Sequence, residues 1–254
     1  MNNSIAFWTI VTKEVRRFTR IWPQTILPPA ITTSLYFLIF GKLIGDRIGP
    51  IGGVGYIDYI VPGVILMSVI SHAYANVVSS FYSTKFQRNI EELLVSPVPN
   101  WVILAGYVSG GVVRGIMVGG VVTVISLMFA DISIAHFGIS AVVFILTATL
   151  FSLAGFINAV FADSFDDIAI IPSFVLTPLS YLGGVFYSVA MLPEIWQKIS
   201  LVNPILYMIN AFRYGLIGVT DVDIKFAFII TGCFIVVLSL FSLYLLKKGI
   251  GIKT

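Results

Sequence analysis

Six stretches of this chain stay apolar for about 20 residues or more, the length an α-helix needs to cross the hydrocarbon of a bilayer. They are Trp22–Gly41, Tyr59–Phe81, Trp101–Ala130, Gly138–Ala162, Ile168–Val189 and Phe226–Leu246, and Arg114 in the third is their only formal charge. Such a chain cannot clothe a water-facing surface: 11% of its residues are charged, against roughly 25% in an ordinary soluble domain. The expectation is an all-α integral membrane protein, a single domain over residues 1–254, with six transmembrane helices within residues 22–246. An even number of spans puts both termini on one side. Lys and Arg collect on cytoplasmic flanks and short loops. Lys13, Arg16, Arg17, Arg20, Lys85, Arg88, Lys247, Lys248 and Lys253 fall on the side of the termini, and Lys42, Arg47, Lys198, Arg213 and Lys225 on the other. Both termini are therefore expected in the cytoplasm.

Residues 1–21 form a candidate interfacial helix. Trp8, Val11, Val15, Phe18 and Trp22 recur at steps of three and four residues, with Lys13, Arg16, Arg17 and Arg20 on the opposite side. Asn3 or Ser4 is placed to cap it. A helix of this kind lies in the headgroup plane and holds the first span at its cytoplasmic end. The apolar run behind it is longer than the ~7–15 residues of a signal-peptide core and has no small-residue cleavage site, so it reads as a retained anchor. Asp46–Asp58 is glycine-rich and reads as a flexible external loop. Asp131–Phe137 and Ala162–Asp167 read as short turns. Pro62 is expected to bend the second span, and Pro172 and Pro178 the fifth.

Two segments do not fit a plain hairpin of spans. Lys85–Asn100 opens with Arg88, Glu91 and Glu92, turns apolar at Leu93, Leu94 and Val95, and closes on Pro97 and Pro99, which stop a helix. A short helix there would lie across the membrane surface, with an apolar side that either headgroups or a partner could cover. Gly183–Gly218 lies between two spans yet carries a Gly-Gly pair, Pro193, Trp196, Asn203-Pro204, Tyr207 and Arg213. Irregular backbone at membrane depth is tolerated only where protein or a water-filled cavity surrounds it. Residues 190–218 therefore read as a structured, re-entrant turn-back on the external side, with Trp196 suited to the interfacial aromatic belt.

Taken in order and spacing, Glu91, Leu93, Leu94, Ser96, Pro97 and Val98 resemble the coupling helix of the type-2 ABC exporter permeases. Gly184, Pro193, Asn203, Pro204, Tyr207 and Arg213 resemble that family's C-terminal signature. The resemblance covers essentially the whole chain. It implies a permease of the bacterial inner (cytoplasmic) membrane that works as a homodimer with two copies of a separate ABC ATPase. Residues 84–100 would dock on that ATPase through Arg88, Glu91, Glu92, Leu93, Leu94 and Pro97. This chain would bind no cofactor itself, because ATP and Mg belong to the partner, and no nucleic acid is implied; beyond the ATPase and its own second copy, membrane lipids are its surroundings. The cargo would be an amphipathic molecule moved outwards, such as a drug, a lipid or a lipid-linked saccharide.

The absences agree with a permease rather than an enzyme. No G-x-x-x-x-G-K-[ST] phosphate loop, H-E-x-x-H, Cys cluster or G-x-S-x-G elbow occurs, and His72 and His136 stand alone. A proton-coupled secondary transporter is the alternative class. It would need Asp, Glu or His inside spans, and here only His72 qualifies.

Ser68, His72, Asn76, Ser79 and Ser83 recur on one side of the second span, and Ser173, Thr177, Ser180 and Gly184 on one side of the fifth. By the family resemblance both stripes would line the central path; by ordinary packing they would be contacts between helices. Arg114 is a third candidate for the path, or a side chain that snorkels to headgroups. Beside it, Gly111, Gly115 and Gly119 form a ridge for close helix contact.

Overall fold

The computed structural model describes residues 2–132 and 134–251, without the side chains of Lys42, Asp46 and Leu94; Lys253, counted above, lies outside them. The described residues form helices α1 (Asn3–Arg20), α2 (Trp22–Tyr36), α3 (Gly45–Ile48), α4 (Tyr56–Phe86), α5 (Asn89–Val95), α6 (Asn100–Ser126), α7 (Phe137–Phe161), α8 (Asp167–Ile171), α9 (Thr177–Leu182), α10 (Glu194–Val202), α11 (Pro204–Ile217) and α12 (Ile224–Lys248). π-helical stretches join α2 to α3 (Phe37–Ile44) and α8 to α9 (Pro172–Leu176).

Four helices are long and apolar enough to cross a membrane: α4, α6, α7 and α12. They correspond to the second, third, fourth and sixth apolar segments. The fifth segment is shorter than expected, since continuous helix runs only over Asp167–Leu182, about 24 Å of rise against the ~30 Å of a bilayer core. Pro172 and Pro178 lack the N–H groups an α-helix uses, and the chain answers with the π-helical stretch between them. Gly184 then turns the chain at φ +75°, a conformation costly for any side chain. In the first segment Pro28 and Pro29 sit inside α2, and its helix loosens to π geometry one to two turns later. Pro62 is accommodated inside an uninterrupted α4. The glycine-rich loop before α4 is partly ordered, with α3 and a tight turn bridging Ile51 and Val54.

α4 is the hub. It packs most extensively on α7 and α6, and α11 lies against α4, α7 and α12. The glycine ridge of α6 is used within the chain: a side chain at Gly111, Gly115 or Gly119 would run into Val77, Ala73 and Val69 of α4 and into Ser152, Ala148 and Phe144 of α7.

α1 is packed closely on the bundle. A Cβ at Gly106 of α6 would meet Ile10, and one at Gly110 would come within 2.5 Å of the Cβ of Glu14. Equal steps on both helices mean that α1 runs alongside the first half of α6 instead of lying across it. Its cap is Asn2, whose side chain accepts the Ser4 N–H, one residue before the expected position. Its buried face is Ile10, Val11, Glu14 and Phe18, whereas Trp8 and Trp22 face outwards. The beginning of α1, helix α5 and the end of α12 share one end of the bundle. Ile5 lines a groove with Leu93 there, Lys85 Nζ donates to the Val160 and Ala162 carbonyls, and Gly251 packs on Val160.

Candidate functional site

At that end α5 is set between α4 and α6. Arg88, the only described non-glycine residue with positive φ (60°), makes the turn out of α4. Pro97 and Pro99 then separate α5 from α6. Ile90 is buried and Leu93 half-buried against the core, while Glu91, Glu92 and Pro97 are exposed and Val95 is 86% exposed. The Leu93 carbonyl accepts the Ser96 hydroxyl at 2.6 Å. So of the two leucines in the sequence pattern, Leu93 beds the helix; the Leu94 side chain lies outside the described residues. The outward surface is Glu91, Glu92 and Val95, flanked by Arg88.

The second-span stripe splits into two environments. Ser68 and His72 line a cleft of about 200 Å3 between α4 and α2, with Pro28, Pro29, Thr32 and Tyr36 opposite. Asn76 does not reach this cleft. It is fully buried and turned to α1, where Arg17 donates to its side-chain oxygen at 2.8 Å and to its carbonyl at 2.9 Å. Arg17 also pairs with Glu14 at 3.3 Å and reaches Ser79 at 3.4 Å. Glu14 has 0% of its surface exposed and accepts from Ser80 at 2.5 Å. A charged network thus joins α1 to α4. The alternation of apolar and basic positions in α1 gave no sign of it. The local signal was an acid three residues before an arginine, opposite an asparagine in an apolar helix.

The fifth-span stripe is also divided. Ser173 is exposed, Thr177 returns its hydroxyl to the Pro172 carbonyl at 3.0 Å, and Ser180 is buried. None of the three lines the α2–α4 cleft. At the end away from α5, Phe186 contacts the rings of Tyr36, Phe40 and Tyr181, and the Tyr36 and Tyr181 hydroxyls stand 3.5 Å apart. This aromatic cluster lies beside the cleft, where Tyr36 is part of the wall.

The signature residues gather at the same end. Asn203 caps α11 by accepting the Ile205 N–H at 3.0 Å, and its amide donates to the Leu179 carbonyl at 2.6 Å. Pro204 occupies the first turn of α11, where no N–H is needed. Tyr207 donates to the Leu201 carbonyl at 2.7 Å, and Pro193 precedes α10. Arg213 is wholly buried. It donates to the carbonyls of Gly184 (2.6 Å) and Tyr59 (3.3 Å) and to Asn210 Oδ1 (3.3 Å), with its guanidinium 4.0 Å from the centre of the Tyr59 ring. Asp221 completes the knot, accepting from Tyr59 and Ser188 at 3.2 and 2.9 Å.

Arg114 is half-buried on α6, and its Nε has no hydrogen-bond partner among the described residues. Just before the fifth apolar segment, Asp167 accepts the N–H groups of Asp163 and Ser164, which holds its carboxyl below the usual aspartate range. No group of three or more His, Cys, Asp or Glu that could hold a metal occurs among the described residues.

With this geometry in hand, the comparisons with known proteins are direct. The family model for ABC-2 type transporters matches residues 5–217. The chain is 55% identical over 250 residues to the inner membrane transport permease YadH of Escherichia coli K12, with 98% of each chain covered. It is 22% identical over 253 residues to nodulation protein J of Neorhizobium galegae, covering 97% of this chain and 93% of that one. With nodulation protein J of Sinorhizobium fredii it shares 24% over 218 residues, covering 83% and 80%.

Proposed function

We propose that this chain, which belongs to the ABC-2 type transporter family, is the membrane half of an ATP-driven exporter of the bacterial inner membrane. In this reading it forms six spans, with α2 and α8–α9 completing the four long helices, and works as a homodimer with two copies of a separate ATPase. The end that carries α5 and both chain ends faces the cytoplasm. α10 and α11 form the external turn-back. Closure of the ATPase pair on ATP pushes α5, which passes the displacement to α4 and α6. The cargo is amphipathic, enters beside the α2–α4 cleft, and leaves outwards past the aromatic cluster.

The observation that carries this is the construction of α5. A seven-residue helix is tied to the two packed helices α4 and α6, is bedded by Ile90 and Leu93, and leaves Glu91, Glu92 and Val95 uncovered. An acidic, partly apolar surface of this kind suits a protein partner better than an anionic headgroup layer. Val95→Asp tests it, because Val95 takes no part in the core and the permease should still fold. The expected result is at least about tenfold less ATPase recovered with the tagged permease, the cost of one lost apolar anchor. Unchanged recovery would remove α5 as the docking element.

Proton-coupled transport is the competing class. Such a carrier needs a buried carboxylate, but the fully buried Glu14 is held by Arg17 and Ser80 as a fixed counter-ion. Energised vesicles depleted of ATP separate the two classes: the ATP-driven reading expects no cargo movement in them.

A further inference from the structure

Arg114 is the only charge in the six apolar segments, and no carboxylate among the described residues pairs with it. The one ion pair among the described residues is Arg17–Glu14, which leaves Arg114 without a carboxylate. Next to it, His72 Nδ1 is likewise buried with no partner among the described residues. The two side chains flank a single contact, in which Gly115 of α6 meets Ala73 of α4. They also share a depth. Arg114 stands about 21 Å along α6 from Asn100, and His72 about 21 Å along α4 from Phe86. Arg17 lies nearer the α5 end, and its Nε too is buried without a partner.

An arginine at this depth is costly in hydrocarbon unless something answers its charge. Glu14 cannot, because it is held by Arg17, Ser80 and Asn76. We propose that Arg114 and His72, with Arg17 behind them, form a binding site for a phosphate group carried by an anionic amphiphile, its apolar part lying in the α2–α4 cleft. The guanidinium offers a fork of N–H donors that matches phosphate oxygens, and the imidazole offers a further N–H. The cleft wall suits the remainder of such a ligand. Pro28, Pro29, Val64 and Met67 supply its apolar surface, with Thr32, Thr33, Tyr36, Ser68, Ser71 and His72 as polar points along it. Where the proposed transport function holds, the cargo is a phosphate-bearing amphiphile; that extension rests on that reading, whereas the site itself does not.

The test uses the purified permease in phosphatidylcholine nanodiscs, titrated with fluorescent phosphatidylglycerol. Arg114→Gln and His72→Gln should each bind it about 10- to 100-fold more weakly, the loss of one charge-assisted hydrogen bond, with elution and helicity unchanged. Arg114→Lys, which keeps the charge but not the fork, should recover part of the affinity. Equal affinity in wild type and Arg114→Gln would overturn the site. Added glycerol phosphate distinguishes the source. Displacement of the lipid assigns the phosphate to a soluble ester, failure to displace assigns it to a headgroup, and either result supports a phosphate site. If the lipid binds through Arg114 yet leaves the ATPase rate of the assembled complex unchanged, the site stands and the transport reading fails.

Discussion

Arg213 and Arg114 are the same residue in two opposite circumstances. Arg213 has no exposed surface, and its guanidinium is spent on two carbonyls, an amide oxygen and the face of Tyr59. Arg114 is partly open and has a buried nitrogen that bonds to nothing described. A buried charge that is fully answered fixes one arrangement of the chain, here the approach of α11, the Gly184 turn and the start of α4. A buried charge left unanswered contributes nothing to that arrangement and exists at a cost. The contrast separates a residue that builds the fold from one whose partner comes from outside it.

The largest effect should come from breaking the answered charge. Arg213→Leu removes a donor from the buried Gly184 and Tyr59 carbonyls and leaves Asn210 Oδ1 with the Asp221 N–H alone. The expected loss is about 3–5 kcal/mol of stability, seen as aggregation on purification or a collapse of the detergent melting temperature. Arg213→Lys should recover little, since an ammonium cannot span the same three acceptors as a planar fork. A fully folded Arg213→Leu permease would erase the distinction drawn here.

Glu14 comes next and sharpens the comparison, because it is a fully buried charge whose main partner, Arg17, remains one-third exposed. Glu14→Gln keeps the shape and removes the charge that Arg17 faces. About 1–3 kcal/mol should be lost, with protease access to the α1–α2 junction rising before the bundle melts. A loss as large as that of Arg213→Leu would mean that α1 belongs to the folding core and is not an appended helix.

These residues also mark what the sequence could and could not disclose. Four of the apolar segments and the helix stop at Pro97 and Pro99 stand within a few residues of where the pattern placed them, and the Asn203 cap, which the pattern did not state, is equally local. Each depends on chemistry between near neighbours: a missing N–H, a short side chain able to accept from the next turn. Glu14 and Asn76 meet across 62 residues, and no periodicity reports such a meeting. A stripe of polar residues on α4 looked uniform, yet Ser68 and His72 open to a cleft while Asn76 is sealed beneath α1. The shortening of the fifth segment was half-legible, in that its prolines were plain but the π-helical answer to them was not. As for α1, its stripe of large apolar residues gave a correct helix but not the helix it packs on. A hydrophobic face states only that something apolar covers it, and here part of the cover is α6, not lipid alone.

A smaller effect is expected at Asp167, a half-buried charge that is well answered. Its carboxylate accepts two backbone N–H groups, and its pKa lies below the usual value of 3.8. A carboxyl with a depressed folded pKa adds stability that is present above the ordinary pKa and lost as pH falls through the folded one. Protection of the Asp163 and Ser164 amides against hydrogen exchange should therefore hold through the neutral range and fall only below about pH 4. Asp167→Asn should weaken it at neutral pH without moving the global melting temperature. A global shift would show that a surface turn carries more of the fold than its exposure allows.

The smallest effect on stability, and the one that decides the comparison, belongs to Arg114. Replacing it with Gln removes an unanswered charge from an apolar setting, so the melting temperature in detergent should stay level or rise, by no more than about 1 kcal/mol in equivalent stability. Anionic lipid should stabilise the wild type and leave Arg114→Gln where it was, because a ligand raises stability only through the folded site it occupies. Stabilisation by lipid that is equal in both proteins would trace the effect to the bilayer at large. A marked fall in lipid-free stability would show instead that Arg114 has a structural partner after all, and would make the two arginines alike.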